Sequence, residues 1–207
     1  MTAPLVLASG SARRRELLEA AGFPTTVLVP RIDDGRLRVR ADHAGEDCSA
    51  LAWFKIAQIL RQRERLSSEA PHARVVLAAD TVCVLDDRVL GKPSDASMAR
   101  QMIESAVGRT QRVVTGVAIH CMVSGRRFMS SDTARVRFGE VPHELIEAYI
   151  GSGAWQGRAG GYHIEEILLA GWPVECEGDP STISGLPLRM VLPILRRLLG
   201  ASGALHA

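Results

Sequence analysis

The chain has 207 residues, of which 46% are hydrophobic and 23% are charged, a composition typical of a globular protein with one sizeable core. Its formal net charge of +2 is too small to indicate a nucleic-acid polymer or a membrane surface as the partner. No apolar run approaches the length of a membrane span, and the first residues do not resemble an export signal. We therefore expect a cytoplasmic protein.

The first elements predict a strand, a small-residue loop and a helix. Residues 5–8 are apolar, Ser9-Gly10-Ser11-Ala12 follows as the loop, and the helix occupies residues 13–21, opening with three arginines. Serine is a good N-cap, glycine permits close approach of the backbone, and the N–H groups of a new helix attract anions. Because the fork of arginine matches phosphate oxygens, this arrangement favours phosphate binding over a merely solvated run of charges.

Helical and strand patterns then alternate, which predicts an α/β fold with a sheet flanked by helices. No linker divides the chain, so we expect a single domain over residues 1–200 and a frayed tail over 201–207. The remaining elements in chain order are a strand at 25–29, a surface loop at 31–47, a helix at 49–66, a strand at 74–79, a hairpin at 82–90 turning at Asp86-Asp87, a helix at 94–107 with Ser94 as a cap, strands at 113–122 and 126–138, a helix at 142–150, a glycine-rich loop at 151–161, and a helical region at 183–199 interrupted at 185–187.

The four cysteines are widely spaced, with no C-x-x-C pair and no adjacent histidine that would indicate a zinc site. We expect reduced and mostly buried thiols.

Asp80 follows a buried apolar run that is predicted to be a strand. Open α/β sheets carry catalytic and binding residues at the ends of such strands, so Asp80 is a candidate functional residue. Alternatively, its carboxylate caps a turn. Lys92 lies in a tight turn soon after, and Lys55 lies near the apolar side of a helix, where its ammonium needs a partner. Asp33 and Asp34 form an acidic pair that could bind a metal or sit in a solvated turn. Carboxylates for Mg²⁺ and cations for phosphates together favour cleavage of a phosphoanhydride.

These motifs resemble, in order, those of the Maf family of nucleoside triphosphate pyrophosphatases, and the resemblance runs nearly end to end. Each motif is short, but five in the same order are specific. The matching stretches are Ser9-Gly10-Ser11-Ala12-Arg13-Arg14, Ala79-Asp80-Thr81-Val82, Leu90-Gly91-Lys92-Pro93, Ala159-Gly160-Gly161-Tyr162-His163-Ile164-Glu165, and Glu177-Gly178-Asp179 through Gly185-Leu186-Pro187.

The resemblance implies an elongated α/β molecule with a central twisted mixed sheet and two lobes around a cleft, often as a homodimer. It implies hydrolysis of a nucleoside triphosphate to a monophosphate and pyrophosphate with Mg²⁺ or Mn²⁺. The resemblance implies that Asp80 is the proton acceptor or a metal ligand and that Asp33 and Asp34 are further metal ligands. The cations that would neutralise the phosphates are Arg13, Arg14, Lys55 and Lys92, and Ser9 is part of the substrate-binding signature. The implied determinants of base selectivity are Arg13, Thr81 and Glu165.

Two positions depart from the family pattern. Asp34 stands where glutamate is usual, which shortens a metal ligand by one methylene group. Glu165 stands where glutamine is common, and an ionised carboxylate accepts hydrogen bonds without donating, so it favours a donor-rich base such as guanine. Thr81 instead matches the members of the family that act on pyrimidine nucleotides. The two positions therefore disagree, and the sequence does not determine which base the protein prefers. Two alternative functions stay open from the sequence, namely a nucleotidyltransferase and a non-catalytic nucleotide-binding regulator of cell division.

Overall fold

The computed structural model describes residues 3–31 and 38–200. Asp33, Asp34 and the predicted tail at 201–207 therefore lie outside the described residues. The described strands are β1 (Leu5–Leu7), β2 (Thr25–Val27), β3 (Val75–Leu85), β4 (Arg88–Leu90), β5 (Thr110–Cys121), β6 (Arg127–Phe138) and β7 (Val174–Glu177). The described helices are α1 (Ala12–Ala20), α2 (Ala44–Arg61), α3 (Arg63–Glu69), α4 (Ala96–Ala106), α5 (His143–Ser152), α6 (Ile164–Leu169), α7 (Pro180–Ile183) and α8 (Leu188–Leu199), and Ala159–Gly161 forms a 3₁₀ turn.

All described strands belong to one mixed sheet, as the alternating pattern predicts. The strand order is β2-β1-β3-β5-β6-β7, with β4 paired to β3 outside this path. The three strands β2, β1 and β3 run parallel, whereas β3, β5, β6 and β7 are joined by antiparallel pairings. The α/β prediction is confirmed: this is a single α/β domain whose central mixed sheet is flanked by helices.

Helices cover both faces of the sheet. On one face α2 packs against β3, β5 and β6, burying even-numbered side chains of β3 such as Val76 and Val82. On the other face two separate apolar clusters lie side by side. One joins α1 and α8 to the sheet around Leu77, and the other joins α4, α5 and α6 to the sheet around Cys83. Successive side chains of a strand point to opposite faces, so residue parity on β3 decides which layer a side chain enters.

The structure corrects the prediction that Asp80 ends its strand. β3 continues through Asp80 to Leu85 and pairs with β5 over this length, with Asp80 opposite Gly116. The residues after Asp80 are β-branched or apolar and favour a strand. A charged side chain is tolerated within this strand because Lys55 of α2 pairs with it.

Other boundaries differ for local reasons. α2 begins at Ala44 inside the predicted loop, where two acidic residues in its first turn favour the helix N-terminus. The N-cap of α4 is Asp95, whose carboxylate accepts the N–H of Met98 at 2.8 Å, and not Ser94. β7 and α6 were missed because the strand is short and exposed and the helix has only six residues. The interruption at 185–187 is confirmed between α7 and α8.

Candidate active site

A gap in the sheet lies at the centre of the candidate site. β5 pairs along one edge of β3, while on the other edge β1 pairs with Val75–Leu77 and β4 with Cys83–Leu85. Among the described residues, no strand therefore lies beside residues 78–82 on that edge. Asp80 and Thr81 lie within this gap, and their side chains point to opposite faces of the sheet. At this gap both side chains border the same unpaired edge of β3.

On the α2 face, Lys55 donates a hydrogen bond to the Oδ1 atom of Asp80. The two side chains are only 11% and 17% exposed, so each charge needs the other. α2 can place Lys55 there because it lies directly on Gly116 of β5, where a Cβ atom would come within 2.1 Å of the Ser49 nitrogen. Cys48 lies near the pair, and burial together with the Asp80 charge raises its thiol pKa to about 12. The thiol is thus protonated and a poor nucleophile.

Arg14 lies across the gap and is held by protein acceptors. Its guanidinium donates to the carbonyls of Ala79 and Gly185 at 2.8 Å each, and to the hydroxyls of Ser9 and Thr81 at 3.1 Å each. Burial lowers the pKa of Arg14, opposed by the charge of Asp80. With most of its five N–H groups engaged, Arg14 fixes the loop after β1 to the unpaired edge of β3.

Thr81 belongs to a hydroxyl chain that sets the direction of its proton. Thr115 donates to the carbonyl of Thr182 at 2.9 Å, and its oxygen lies 2.9 Å from that of Thr81. Since a hydroxyl has one proton, Thr81 donates to Thr115 and accepts from Arg14. In this arrangement Thr81 has no proton to offer a base.

A cavity of about 130 Å³ opens on the Thr81 face, between the two apolar clusters described above. This is the cleft that the resemblance implies. Its volume lies below the ~300–1,000 Å³ of typical small-molecule sites, so it would enclose only part of a ligand of ordinary size. The lining residues are Ser11, Arg13, Arg14, Thr81, Cys83, Lys92, Val113, Gly157, Arg158, Ala159, Tyr162, His163, Ile164, Ile183, Ser184 and Gly185.

Arg13 and Glu165, both expected to influence base selectivity, are in direct contact. The guanidinium of Arg13 donates to Glu165 Oε1, and the Ser184 hydroxyl donates to the same oxygen at 3.2 Å. His163 Nε2 lies 3.5 Å from Glu165 Oε2. Burial and the nearby charge of Arg158 lower the pKa of His163. Oε1 of Glu165 is therefore held by neighbouring donors, while a carboxylate has further lone pairs that can accept hydrogen bonds.

The expected site residues fall into two groups around the gap. Arg13, Arg14, Thr81 and Lys92 line the cavity, and Asp80 and Lys55 lie on the opposite face. Ser9 is beside the first group, but its oxygen accepts from the Ser11 N–H and from Arg14. The cap of α1 is Ser11.

Sequence reasoning missed two features of the site, Arg158 and the Thr115 hydroxyl. Arg158 directly precedes the 159–165 motif, and an arginine inside a glycine-rich segment was the available signal. No sequence signal marked Thr115, since threonine is common in strands rich in β-branched residues.

Among the residues that the structure describes, no group of three or more His, Cys, Asp or Glu side chains could hold a metal ion. At the gap, Lys55 engages Oδ1 of Asp80. A single carboxylate such as Asp80 could contribute to a Mg²⁺ site only if other ligands, such as phosphate oxygens, completed it.

The chain is similar to known proteins over nearly its whole length. The family model described as Maf-like protein matches residues 4–198. The chain is 37% identical over 198 residues to a dTTP/UTP pyrophosphatase of Chelativorans sp. (strain BNC1), covering 94% of this chain and 92% of that protein. It is 37% identical over 192 residues to a dTTP/UTP pyrophosphatase of Thermus thermophilus, covering 93% of each. It is 33% identical over 208 residues to a nucleoside triphosphate pyrophosphatase of Mycobacterium sp. (strain JLS), covering 96% and 95%.

No helix in the described part of the chain has the length and apolar character needed to cross a membrane.

Proposed function

Because the chain belongs to the Maf-like protein family, we propose that it hydrolyses nucleoside triphosphates to a monophosphate and pyrophosphate, in a house-cleaning role. The observation that carries this proposal is the gap in the sheet, where Asp80 and Lys55 on one face adjoin a cation-lined cavity on the other. A triphosphate chain needs such positive charge along its length, and a carboxylate near the attacked phosphorus can accept the proton of water.

The reaction adds water across the α–β anhydride. The oxygen of water joins the α phosphorus, the bridging oxygen leaves with pyrophosphate, and Asp80 accepts the proton of the attacking water. Lys55 holds the carboxylate of Asp80 in position and adds positive charge beside it. Lys92 and Arg13 offset negative charge on the phosphates, and Arg13 does so after exchanging its contact with Glu165 for the substrate. Arg14 and Ser9 act by fixing the geometry of the loop.

We extend the proposal to Mg²⁺ or Mn²⁺, which Asp33 and Asp34 would hold together with the substrate phosphates. In the alternative assignment Asp80 is a further metal ligand and does not accept the proton. Either ion would supply positive charge to the phosphate oxygens when bound.

The base is proposed as a canonical pyrimidine or a modified or methylated base. Relatives named dTTP/UTP pyrophosphatases support the first class, and the carboxylate of Glu165 supports a base that donates hydrogen bonds. A panel of canonical, methylated and deaminated triphosphates, scored by pyrophosphate release, decides between them. A preference for donor-rich bases that disappears in Glu165→Gln would assign the readout to Glu165.

The central test is Asp80→Asn. We expect the variant to lose turnover by at least about a hundredfold, since a general base contributes roughly 10²–10⁴ in rate, while it still binds a non-hydrolysable triphosphate. Wild-type product formation without an added acceptor would exclude a nucleotidyltransferase. Triphosphate binding by wild type with no hydrolysis of any substrate in the panel would contradict the proposal and support the non-catalytic regulator.

The proposal also places the enzyme in the cytoplasm as a homodimer. Sedimentation equilibrium tests the dimer, because the chain mass is 22.4 kDa and a dimer sediments with twice that mass.

A further inference from the structure

Arg13, Arg14, Lys92 and Arg158 are the four Lys and Arg side chains that line the cavity, and the protein itself engages two of them. Arg13 is paired with Glu165, and Arg14 donates to backbone carbonyls and hydroxyls. Within residues 3–31 and 38–200, the side chains of Lys92 and Arg158 form no hydrogen bond or ion pair, and no carboxylate belongs to the cavity lining. Two positive charges therefore face the cavity without compensation from the described residues.

The backbone holds these two residues in neighbouring segments. The N–H of Gly160 donates to the carbonyl of Gly91 at 3.0 Å, which ties the 3₁₀ turn after Arg158 to the turn that carries Lys92. Cys83 of β3 supports the same segment, because its thiol contacts the carbonyl of Ala159 at 3.5 Å. The segment is thus fixed to the sheet beside the gap. Preorganised charges of this kind bind an anion without the cost of first ordering a loop.

We propose that Arg158 is a further substrate-binding residue that, together with Lys92, binds the leaving pyrophosphate part of the substrate. This inference rests on the proposed hydrolysis. Two uncompensated cations match the concentrated charge of pyrophosphate, and the planar fork of arginine can hold two phosphate oxygens at once.

The position of the attacked phosphorus supports this assignment. Asp80 lies on the α2 face and is not part of the cavity lining, so the α phosphate belongs at the gap near Asp80. The cavity that these side chains line has a volume of about 130 Å³. The positive charge of Lys92 and Arg158 therefore favours the β and γ phosphates beside these two side chains.

The test measures binding of inorganic pyrophosphate and of nucleoside monophosphates by calorimetry, in wild type, Arg158→Ala and Arg158→Lys. The matched control is Arg137→Ala, since Arg137 is an exposed arginine paired with Glu175 at the far edge of the sheet. Melting temperatures verify that every variant is folded. We expect Arg158→Ala to weaken pyrophosphate binding by about tenfold to a hundredfold, the range of a charged hydrogen bond.

Arg158→Lys should fall between wild type and Arg158→Ala, because lysine keeps the charge but loses the fork. Monophosphate binding should stay within about twofold in all variants, and Arg137→Ala should match wild type in both measurements. Unchanged pyrophosphate binding in Arg158→Ala would overturn the inference, as would a loss confined to the monophosphate. Neither measurement needs turnover, so an inactive wild type would refute the proposed hydrolysis while the pyrophosphate titration still decides the role of Arg158.

Discussion

Asp80 and Lys55 show how a charged residue can occupy the middle of a buried strand. The carboxylate lies between Ala78 and Val82 on the face of β3 that α2 covers, and Lys55 is the helix side chain that reaches it. Removing one partner of such a pair leaves the other charge in a poorly solvated position. Each charge of the pair is therefore needed to compensate the other within the fold.

We expect Lys55→Met to lower the free energy of unfolding by about 3 kcal/mol, the usual cost of breaking a buried ion pair. The double variant Lys55→Met with Asp80→Asn should recover much of that loss, because it removes both charges. Urea unfolding followed by tryptophan fluorescence measures both values. Arg135→Ala is the control for an exposed pair and should cost less than about 1 kcal/mol. Additive losses in the double variant would contradict direct coupling.

At the scale of elements, α2 is positioned by a glycine. A Cβ atom on Gly116 would lie 2.1 Å from the nitrogen of Ser49 and 2.3 Å from the carbonyl carbon of Cys48. Backbone atoms cannot move aside as a flexible side chain can, so the helix itself would have to shift away from β5. Because α2 carries Lys55, that shift would also displace Lys55 from Asp80.

Gly116→Ala should therefore destabilise the protein by about 3 kcal/mol, the upper end of typical overpacking costs, and lower the rate of hydrolysis as well. Gly151→Ala is the matched control, since a Cβ atom on Gly151 would meet open space and the residue is in α5. Alanine is a better helix former, so this control should gain up to about 1 kcal/mol. Equal melting temperatures for Gly116→Ala and wild type would show that the close contact is unimportant.

Asp179 links two helices and gives the stability a dependence on pH. Its carboxylate accepts the N–H and the hydroxyl of Ser181 at the start of α7, and the N–H of Arg189 in α8. Burial alone would raise the pKa of Asp179, but these hydrogen bonds outweigh it and the pKa lies below its usual 3.8. The ionised form is thus favoured in the folded state.

A pKa lowered by folding gives stability that is present above 3.8 and is lost as the pH falls through the folded value. We expect Asp179→Asn to be less stable than wild type at pH 7 by about 1 kcal/mol, because asparagine can still cap the helix but lacks the charge that strengthens these hydrogen bonds. The difference should shrink below pH 4, and melting curves from pH 7 to pH 3 measure it. Asp87→Asn in the exposed turn before β4 serves as the control. A constant difference across this range would refute the role of the charge.

At the scale of the whole molecule, the site exists because the sheet is incomplete at one edge. β1 and β4 cover only the two ends of the free edge of β3, and the two apolar clusters on the Thr81 face lie on either side of the same region. A continuous sheet would separate Asp80 from the cavity. At the gap, Asp80 and the cavity-lining Thr81 instead border the same open edge of β3.

We propose that residues 1–200 form the folded domain, because the last described helix, α8, ends at Leu199 and packs on the sheet through Val191 and Leu195. A variant ending at residue 200 should keep the melting temperature and pyrophosphatase activity of the full chain. Truncation at residue 187 removes α8 and should prevent folding. Loss of activity in the first variant would assign residues 201–207 to the functional protein.

The sequence alone determined the alternation of elements, the order of the motifs and the residue types for binding phosphate. Periodicity and capping are local properties, so α1, α4 and the β5–β6 pair could be predicted from short stretches. The same local patterns wrongly predict that a strand ends at Asp80. The charge that compensates Asp80 within the strand belongs to Lys55, which is 25 residues away in the chain.

The tertiary structure alone decided which faces the site residues occupy and which cations the protein already engages. Neither strand pairing nor a contact such as that between Arg13 and Glu165, which are 152 residues apart, is encoded in a local pattern. Two features depend on where β1, β4 and the 3₁₀ turn meet β3: the gap beside Asp80, and the charge of Arg158, which no described residue compensates. Long-range packing fixes that meeting point, and for that reason only the folded chain reveals it.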